Sequence, residues 1–225
     1  MNRGVYMNHQ DSLFKKSSFK RIGEFNSLSP EIFKAFVSFE KLALAEGKLT
    51  AKFKELIAIA IAHTTGCPYC IEAHVKQAKK NGVSKEEMAE SIMVATALKA
   101  GSAMAHGVNA LNAYDETEDD ELYSASYINR LGEFTQLSGD AFKAFGSFDQ
   151  KALKAGILSS KEKELIAVAV AHTTGCPYCI DIHTKAAKKS AATKEELAES
   201  IMVATALKAG SALAHGVNAL VAYDE

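Results

Sequence analysis

The sequence predicts an all-α protein made of a tandem duplication of one helical domain. Three observations carry this prediction: the composition, the helical spacing of apolar residues between recognisable caps, and an internal repeat. Ala, Leu, Ile, Lys and Glu dominate the 225 residues, proline occurs only three times, and tryptophan is absent. Such a composition favours helices, and with 48% hydrophobic residues the chain can build a substantial core.

The internal repeat has an offset of 109 residues, which is the length of a small domain. The offset links Cys67 to Cys176 and His74 to His183, and it stays constant between residues 21 and 116. A constant offset over this length indicates a tandem duplication. We therefore expect a flexible tail at residues 1–12, a first helical domain at 13–115, an acidic linker at 116–121 and a second helical domain at 122–225.

Each copy shows the pattern of several helices. Thr50 is placed to cap a helix that is apolar nearly all round, so this helix should be central and buried. Ser84 and Glu87 form a capping box for a later helix, in which Gly101-Ser102 predicts a kink or break. The helices predicted in the first copy are Glu31 to Leu44, Ala51 to about His63, Pro68 to about Lys80, Lys85 through Leu98, and Ala103 to Tyr114.

Charge and hydropathy limit the partners of the chain. The 26 basic and 27 acidic residues nearly balance, which argues against binding to nucleic acid or to a membrane surface. The N-terminus lacks the apolar centre of a signal peptide, and no apolar run approaches the roughly 20 residues that span a bilayer. We therefore expect a cytoplasmic protein. Its thiols would be reduced there, so close cysteine pairs indicate catalysis or metal binding.

The stretch HTTGCPYC occurs twice, beginning at His63 and at His172, and it contains all four cysteines. Each Cys-x-x-Cys pair follows a glutamate by twelve residues and precedes a histidine by four. A first cysteine at a helix start meets free N–H groups that favour its thiolate. The second cysteine and the histidine share one helix face. The two sets of candidate catalytic residues are Glu55, Cys67, Cys70 and His74, and Glu164, Cys176, Cys179 and His183.

These residue types suit peroxide reduction. A thiolate can attack a peroxide oxygen, and a second thiol can resolve the resulting sulfenic acid as a disulfide. Glu55 lies on an apolar helix, where a carboxylate needs a partner, and His74 is a natural relay between it and a sulfur. Two other interpretations remain open: a structural zinc site built from the same residues, and thiols that merely pack. Ligands confined to one short helical segment do not easily form a tetrahedron, which disfavours zinc.

The spacing of a glutamate, eleven residues, Cys-x-x-Cys, three residues and a histidine resembles the alkylhydroperoxidase D-like branch of the carboxymuconolactone decarboxylase family. The resemblance covers the core of both copies. It implies an all-helical fold, peroxidase activity without a bound cofactor, and redox-active disulfides Cys67–Cys70 and Cys176–Cys179. It implies that Cys70 and Cys179 attack the peroxide, that Cys67 and Cys176 resolve, and that Glu55 with His74, and Glu164 with His183, relay protons.

The resemblance also implies partners. These are a hydroperoxide substrate, a dithiol reductant such as a lipoyl group or a redoxin-like protein, and further copies of the chain, for which we expect a trimer. The best-known member of that branch has a histidine where this chain has Tyr69 and Tyr178. The decarboxylase branch lacks the cysteine pair, so a decarboxylase or isomerase on the same fold is the weaker alternative.

Six further residues adjoin the predicted sites. His63 and His172 are placed either to bind free carbonyls at a helix end or to assist catalysis. His106 and His215 lie among small residues and could reach a site at a helix interface. Tyr69 and Tyr178 are expected to shape the mouth of a pocket.

Overall fold

The computed structural model describes residues 12–224, so the predicted flexible tail lies almost wholly outside the described residues. Within this range the chain forms ten α-helices, two 3-10 helices and no strand, which confirms the all-α prediction. The first copy comprises a 3-10 helix Ser18–Glu24, α1 Phe25–Leu28, α2 Pro30–Leu44, α3 Ala51–Thr65, α4 Pro68–Lys80 and α5 Lys85–Tyr114. The second comprises a 3-10 helix Ala125–Glu133, α6 Phe134–Leu137, α7 Gly139–Leu153, α8 Ser160–Thr174, α9 Pro177–Lys189 and α10 Lys194–Asp224.

The caps explain where these helices begin and end. The Thr50 side chain accepts the backbone N–H of Phe53, and Ser84 and Glu87 form the predicted reciprocal capping box. Gly66 ends α3 with φ of +71°, a left-handed conformation that glycine adopts without strain. This turn places Cys67 directly at the start of α4.

The predicted kink at Gly101-Ser102 is wrong, because α5 runs unbroken from Lys85 to Tyr114. A glycine inside a helix costs only about 1 kcal/mol, which packing along the helix can offset. Helix α5 lies against α3, α7 and α8, and Ser102 is buried. A Cβ atom at Gly101 would stand 3.8 Å from the Phe145 ring, an ordinary packing distance, so this part of α5 lies against α7.

The two copies share one hydrophobic core. Helices α3 and α8 pack against each other at its centre, and Leu56, Ile57, Leu165 and Ile166 are at most 1% exposed. A single cluster contains residues from both copies. The two sequence repeats therefore pack around one shared core.

Each copy contributes its long last helix to the other copy. Helix α10 packs against α2, α3, α4 and the 3-10 helix Ser18–Glu24 of the first copy. Helix α5 packs in the same way against α7, α8, α9 and the 3-10 helix Ala125–Glu133 of the second copy. The exchange brings residues that are far apart in the sequence to each Cys-x-x-Cys pair.

A glutamate on each exchanged helix fastens it to the opposite copy. Glu199 on α10 accepts the backbone N–H groups of Lys48 and Leu49 at 2.8 and 3.0 Å and pairs with the Nζ atom of Lys54 at 3.0 Å. A Cβ atom at Gly47 would lie 2.4 Å from the Glu199 Oε1 atom, so a larger residue there would displace the carboxylate from these contacts. Glu90 on α5 makes the same contacts with Ile157, Leu158 and Lys163.

Helix α10 is long and apolar enough, by length and composition, to cross a membrane, whereas the sequence analysis expected no such stretch. Its most apolar window has a mean hydropathy of 1.3. In the structure α10 packs against α3 and α8 and buries residues such as Val203, Leu207 and Val217. Helix α10 thus contributes Val203 and Leu207 to the core that both copies share.

Candidate active site

Each cysteine pair is held at the start of a helix. The Cys67 side chain caps α4, and its Sγ atom accepts the backbone N–H of Cys70 at 3.3 Å. Pro68 occupies the first helical position, where its missing N–H costs no hydrogen bond. Both thiols are free and buried, and Cys176 and Cys179 repeat the arrangement at 3.2 Å.

The predicted glutamate and histidine meet beside each pair. Glu55 on α3 is only 4% exposed, and its Oε2 atom lies 3.0 Å from the Nδ1 atom of His74 on α4. In the second copy Glu164 and His183 meet at 2.8 Å. Because a buried carboxylate is costly without a partner, this contact explains how an acidic residue is tolerated on the apolar helix α3.

A cavity of about 270 Å³ opens onto the first site. Cys70, Glu55 and His74 all line it, and apolar residues of α2, α10 and the 3-10 helix Ser18–Glu24 form much of its wall. Cys67 is fully buried and is not among the lining residues. A small molecule in the cavity therefore meets the second cysteine of the pair.

The two thiols of a pair differ in acidity. The Cys70 thiol hydrogen-bonds to the Cys67 sulfur, and this contact, with the Cys70 backbone N–H, lowers the pKa of Cys67 to about 6. The same hydrogen bond, together with burial, raises the pKa of Cys70. The pKa of Cys176 is likewise lowered to about 6 by Cys179. Near neutral pH the first cysteine carries the negative charge, as its position at the helix start predicts.

The opposite copy completes each site. The Ser211 hydroxyl and the charge of His215, both on α10, lower the pKa of Cys67 further. The Tyr69 hydroxyl donates to the Asn218 Oδ1 atom at 3.2 Å. Helix α5 supplies the equivalent residues to the second site, namely Ser102, His106 and Asn109. His106 and His215 thus lie at the helix interface that the sequence suggested.

The other predicted residues divide into two groups. The Nδ1 atoms of His63 and His172 lie 2.8 Å from the carbonyl oxygens four residues earlier, and the two rings line separate hollows away from the thiols. They therefore belong to the helix ends. Tyr69 and Tyr178 are 5% exposed and line cavity walls. The Tyr69 ring stacks on Phe19 with centroids 5.0 Å apart.

The sequence analysis missed one acidic residue in each site. Glu40 on α2 lines the first cavity, and Asp149 is its counterpart on α7. Burial raises the pKa of both carboxyl groups. The sequence contains a sign of this residue, because an acidic residue recurs at the repeat offset of 109. Glu40 also follows Phe36 by one helical turn, on a helix face that is otherwise apolar.

The zinc alternative gains no support from the side-chain positions. Among residues 12–224, no group of three or more His, Cys, Asp and Glu side chains converges closely enough to hold a metal ion. The arrangement is instead that of two thiols beside a hydrogen-bonded carboxylate and imidazole, which suits proton transfer to and from sulfur.

Comparisons with known proteins agree with the fold and the duplication. The model of the carboxymuconolactone decarboxylase family matches residues 30–113 and 139–222. An uncharacterized protein of the cox locus of Paracoccus denitrificans is 42% identical over 97 residues, which cover 43% of this chain and 87% of that relative. An uncharacterized protein of Haemophilus influenzae is 40% identical over 95 residues, which cover 42% of this chain and 84% of that relative.

A solved structure resembles the whole chain. It is a Burkholderia xenovorans protein provisionally described as a gamma-carboxymuconolactone decarboxylase subunit, with a TM-score of 0.67 over 92% of this chain and 95% of that one. At 20% identity this likeness shows the fold alone. The two family matches together span more than half of the sequence. The chain therefore belongs to the carboxymuconolactone decarboxylase family and carries two tandem copies of its domain.

Proposed function

We propose that the protein is a peroxidase-like thiol–disulfide oxidoreductase that reduces hydroperoxides at its Cys-x-x-Cys pairs. One observation carries the proposal: Cys70, Glu55 and His74 line one cavity, and Cys67 lies directly behind Cys70. Peroxide reduction needs an accessible sulfur, a group that moves protons and a second thiol within reach. No bound cofactor takes part in this reaction.

The first step uses the accessible thiol. Cys70 passes its proton to His74, which Glu55 holds through the Nδ1 atom. The Cys70 thiolate attacks the terminal oxygen of the hydroperoxide, the O–O bond breaks, and Cys70 becomes a sulfenic acid. The alkoxide takes the proton from His74 and leaves as an alcohol. Access rather than acidity makes Cys70 the attacking residue, because Cys67 is fully buried.

The second step uses the acidic thiol. Cys67 is already a thiolate near neutral pH, and it attacks the Cys70 sulfur. The S–S bond forms, the S–O bond breaks, and hydroxide takes up a proton to leave as water. A dithiol reductant, such as a lipoyl group or a redoxin-like protein, then returns two electrons and restores both thiols. The low pKa of Cys67 therefore suits a resolving cysteine.

Thiol counting tests this function. Addition of one equivalent of hydroperoxide per pair should remove two free thiols per pair and produce the disulfides Cys67–Cys70 and Cys176–Cys179 in a peptide map. With Cys67→Ser the first pair should stop at the sulfenic acid. If no thiols are lost, the peroxidase proposal fails. Stoichiometric zinc in the purified protein, with thiols protected from alkylation, would support the metal-binding alternative instead.

A non-redox decarboxylase or isomerase is the second candidate. It is supported by the family to which the chain belongs and by a cavity that offers an acid–base pair, Glu55 with His74, independently of the sulfurs. Activity on a lactone acid that survives in the Cys70→Ser, Cys179→Ser double variant would favour it over the peroxidase.

The proposal extends to assembly and location. We propose a cytoplasmic homo-oligomer, with a trimer as the expected form. Leu28, Ile32 and Leu42 at and near α2 are 66%, 74% and 75% exposed, and exposed apolar side chains of this kind suit an interface between copies. Sedimentation equilibrium should give the mass of three chains.

A further inference from the structure

The first cavity contains an acid that the mechanism above does not use. Glu40 lines the same cavity as Cys70, Glu55 and His74. Among residues 12–224, its carboxyl group forms no ion pair and no hydrogen bond. Burial raises the pKa of Glu40, which keeps its proton in place closer to neutral pH.

The surroundings of Glu40 leave its proton available to the cavity. The charged and titratable groups that face it are Glu55 on α3 and His74 and Cys70 on α4. The wall from α10 is uncharged, and a Cβ atom at Gly210 would stand 3.2 Å from the Glu40 Oε1 atom. The carboxyl group thus lies beside α10 of the opposite copy and lines the cavity that Cys70 also lines.

The proposed reaction needs two protons, because each hydroperoxide yields one alcohol and one water. The Cys70 thiol supplies the first proton through His74. Cys67 enters the reaction as a thiolate and supplies none. A second acid must therefore protonate the hydroxide that leaves Cys70 when the disulfide closes.

We propose that Glu40, and Asp149 in the second copy, act as the general acids for disulfide closure. The inference rests on the proposed peroxidase function. As the Cys67 thiolate attacks the Cys70 sulfur, the S–S bond forms and the S–O bond breaks. The Glu40 carboxyl group gives its proton to the departing hydroxide, which leaves as water. The dithiol reductant later returns two electrons and two protons, one proton to Cys70 and one to Glu40.

The test separates the two steps in a chain with one working site. In a Cys176→Ser, Cys179→Ser background, Glu40→Gln should form the Cys70 sulfenic acid at a rate within about twofold of the background protein. Disulfide closure should slow about 10²-fold, the size of a general-acid contribution, so the sulfenic acid accumulates and is trapped by dimedone. Glu40→Asp, which installs the residue type of the second copy, should restore most of the closure rate.

A pH profile distinguishes proton donation from a structural role. In the background protein the closure rate should fall as the pH rises through the raised pKa of Glu40, because the acid is then lost. This decline should be absent in Glu40→Gln. Glu31→Gln, an exposed change on the same helix, is the matched control and should leave both steps unchanged.

Three outcomes overturn the inference. Closure at the background rate in Glu40→Gln shows that the carboxyl group donates no proton. Equal slowing of sulfenic acid formation and closure shows a general disturbance of the site. If the background protein itself forms no disulfide with hydroperoxide, the proposed function and this inference both fail.

Discussion

The two sites share their reactive geometry and differ in their surroundings. The carboxylate–imidazole distance is 3.0 Å in the first site and 2.8 Å in the second, and the capping distance within the cysteine pair is 3.3 and 3.2 Å. Ala73 lines the first cavity beside Cys70, and the equivalent position beside Cys179 is the larger residue Ile182.

The differences lie at positions that control access. The substitution of Ala73 by Ile182 adds volume to the wall beside the second thiol pair. Glu40 is replaced by Asp149, which is shorter by one methylene group. The glutamate, the two cysteines and the histidine are the same in both copies, whereas residues around them differ. We therefore expect the same chemistry at both sites and a preference for larger substrates at the first.

The largest effect should come from removal of one attacking sulfur at a time. With a bulky hydroperoxide such as cumene hydroperoxide, Cys70→Ser should lose most of the activity, whereas Cys179→Ser should lose little. With hydrogen peroxide each variant should keep about half, and the double variant should lose more than about 10³-fold. Steady-state assays with both substrates measure this. Equal losses with the bulky substrate would remove the distinction between the sites.

Removal of the buried carboxylate should affect both sites alike. In single-site backgrounds, Glu55→Gln and Glu164→Gln should each slow sulfenic acid formation about 10²-fold, because the histidine loses the partner that holds it. Rapid-mixing kinetics with dimedone trapping measure this step. The exposed changes Glu31→Gln and Asp140→Asn are the matched controls. If sulfenic acid formation slows in only one copy, Glu55 and Glu164 have different roles despite their similar distances from the histidine.

The glutamates that fasten the exchanged helices should contribute equally to stability. Glu199→Gln leaves the charge of Lys54, which is 3% exposed, without its ion-pair partner. The free energy of unfolding in urea should fall by about 2 kcal/mol, since loss of one partner of a buried pair is costly. Glu90→Gln should do the same through Lys163. The exposed change Glu118→Gln should leave stability unaltered, and unequal losses would show that one copy depends more on the exchange.

A swap of cavity walls should transfer substrate preference. Ala73→Ile should raise KM for cumene hydroperoxide at the first site about tenfold, because the larger side chain fills the cavity. Ile182→Ala should lower KM for the same substrate at the second site. Assays of each change in its single-site background measure this, with hydrogen peroxide as the control substrate. Unchanged KM values would show that the residues at positions 73 and 182 do not determine substrate preference.

The acidity of the first cysteine should not differ between the copies. The pKa of Cys67 and of Cys176 is lowered to about 6, so the thiolate of each should be present above about pH 6 and lost below it. The ultraviolet absorbance of the thiolate, followed against pH in each single-site protein, measures this. Cys70→Ala removes the thiol that donates to Cys67 and should move its titration toward the ordinary value near 9. Two different titration midpoints would show that Cys67 and Cys176 differ in acidity.

Local patterns in the sequence predicted much of this structure. The caps at Thr50 and Ser84 and the acidity of Cys67 depend on neighbouring residues, so they could be derived from the sequence alone. The contact between Glu55 and His74 was predictable because a buried carboxylate on one helix needs a partner nearby.

The exchange of long helices could not be predicted in the same way. The position of Glu40 beside Gly210 of α10 and the effect of Ser211 on the pKa of Cys67 both depend on it. These contacts join residues far apart in the chain, and no local propensity encodes them. The sequence analysis missed Glu40, because the acidic residue repeated at position 149 does not show where the carboxyl group lies.

The exchanged helices determine which site an amino-acid substitution can affect. A single-copy chain with this architecture would need a second, identical molecule to finish its site, so every substitution would alter both sites at once. Joining the copies makes the partner intramolecular and always present. A substitution in the part of α10 that lines the first cavity can then alter the first site while the equivalent residue of α5 stays unchanged. The unit that was duplicated in the sequence therefore differs from the unit that forms a site, because each site combines residues of both copies.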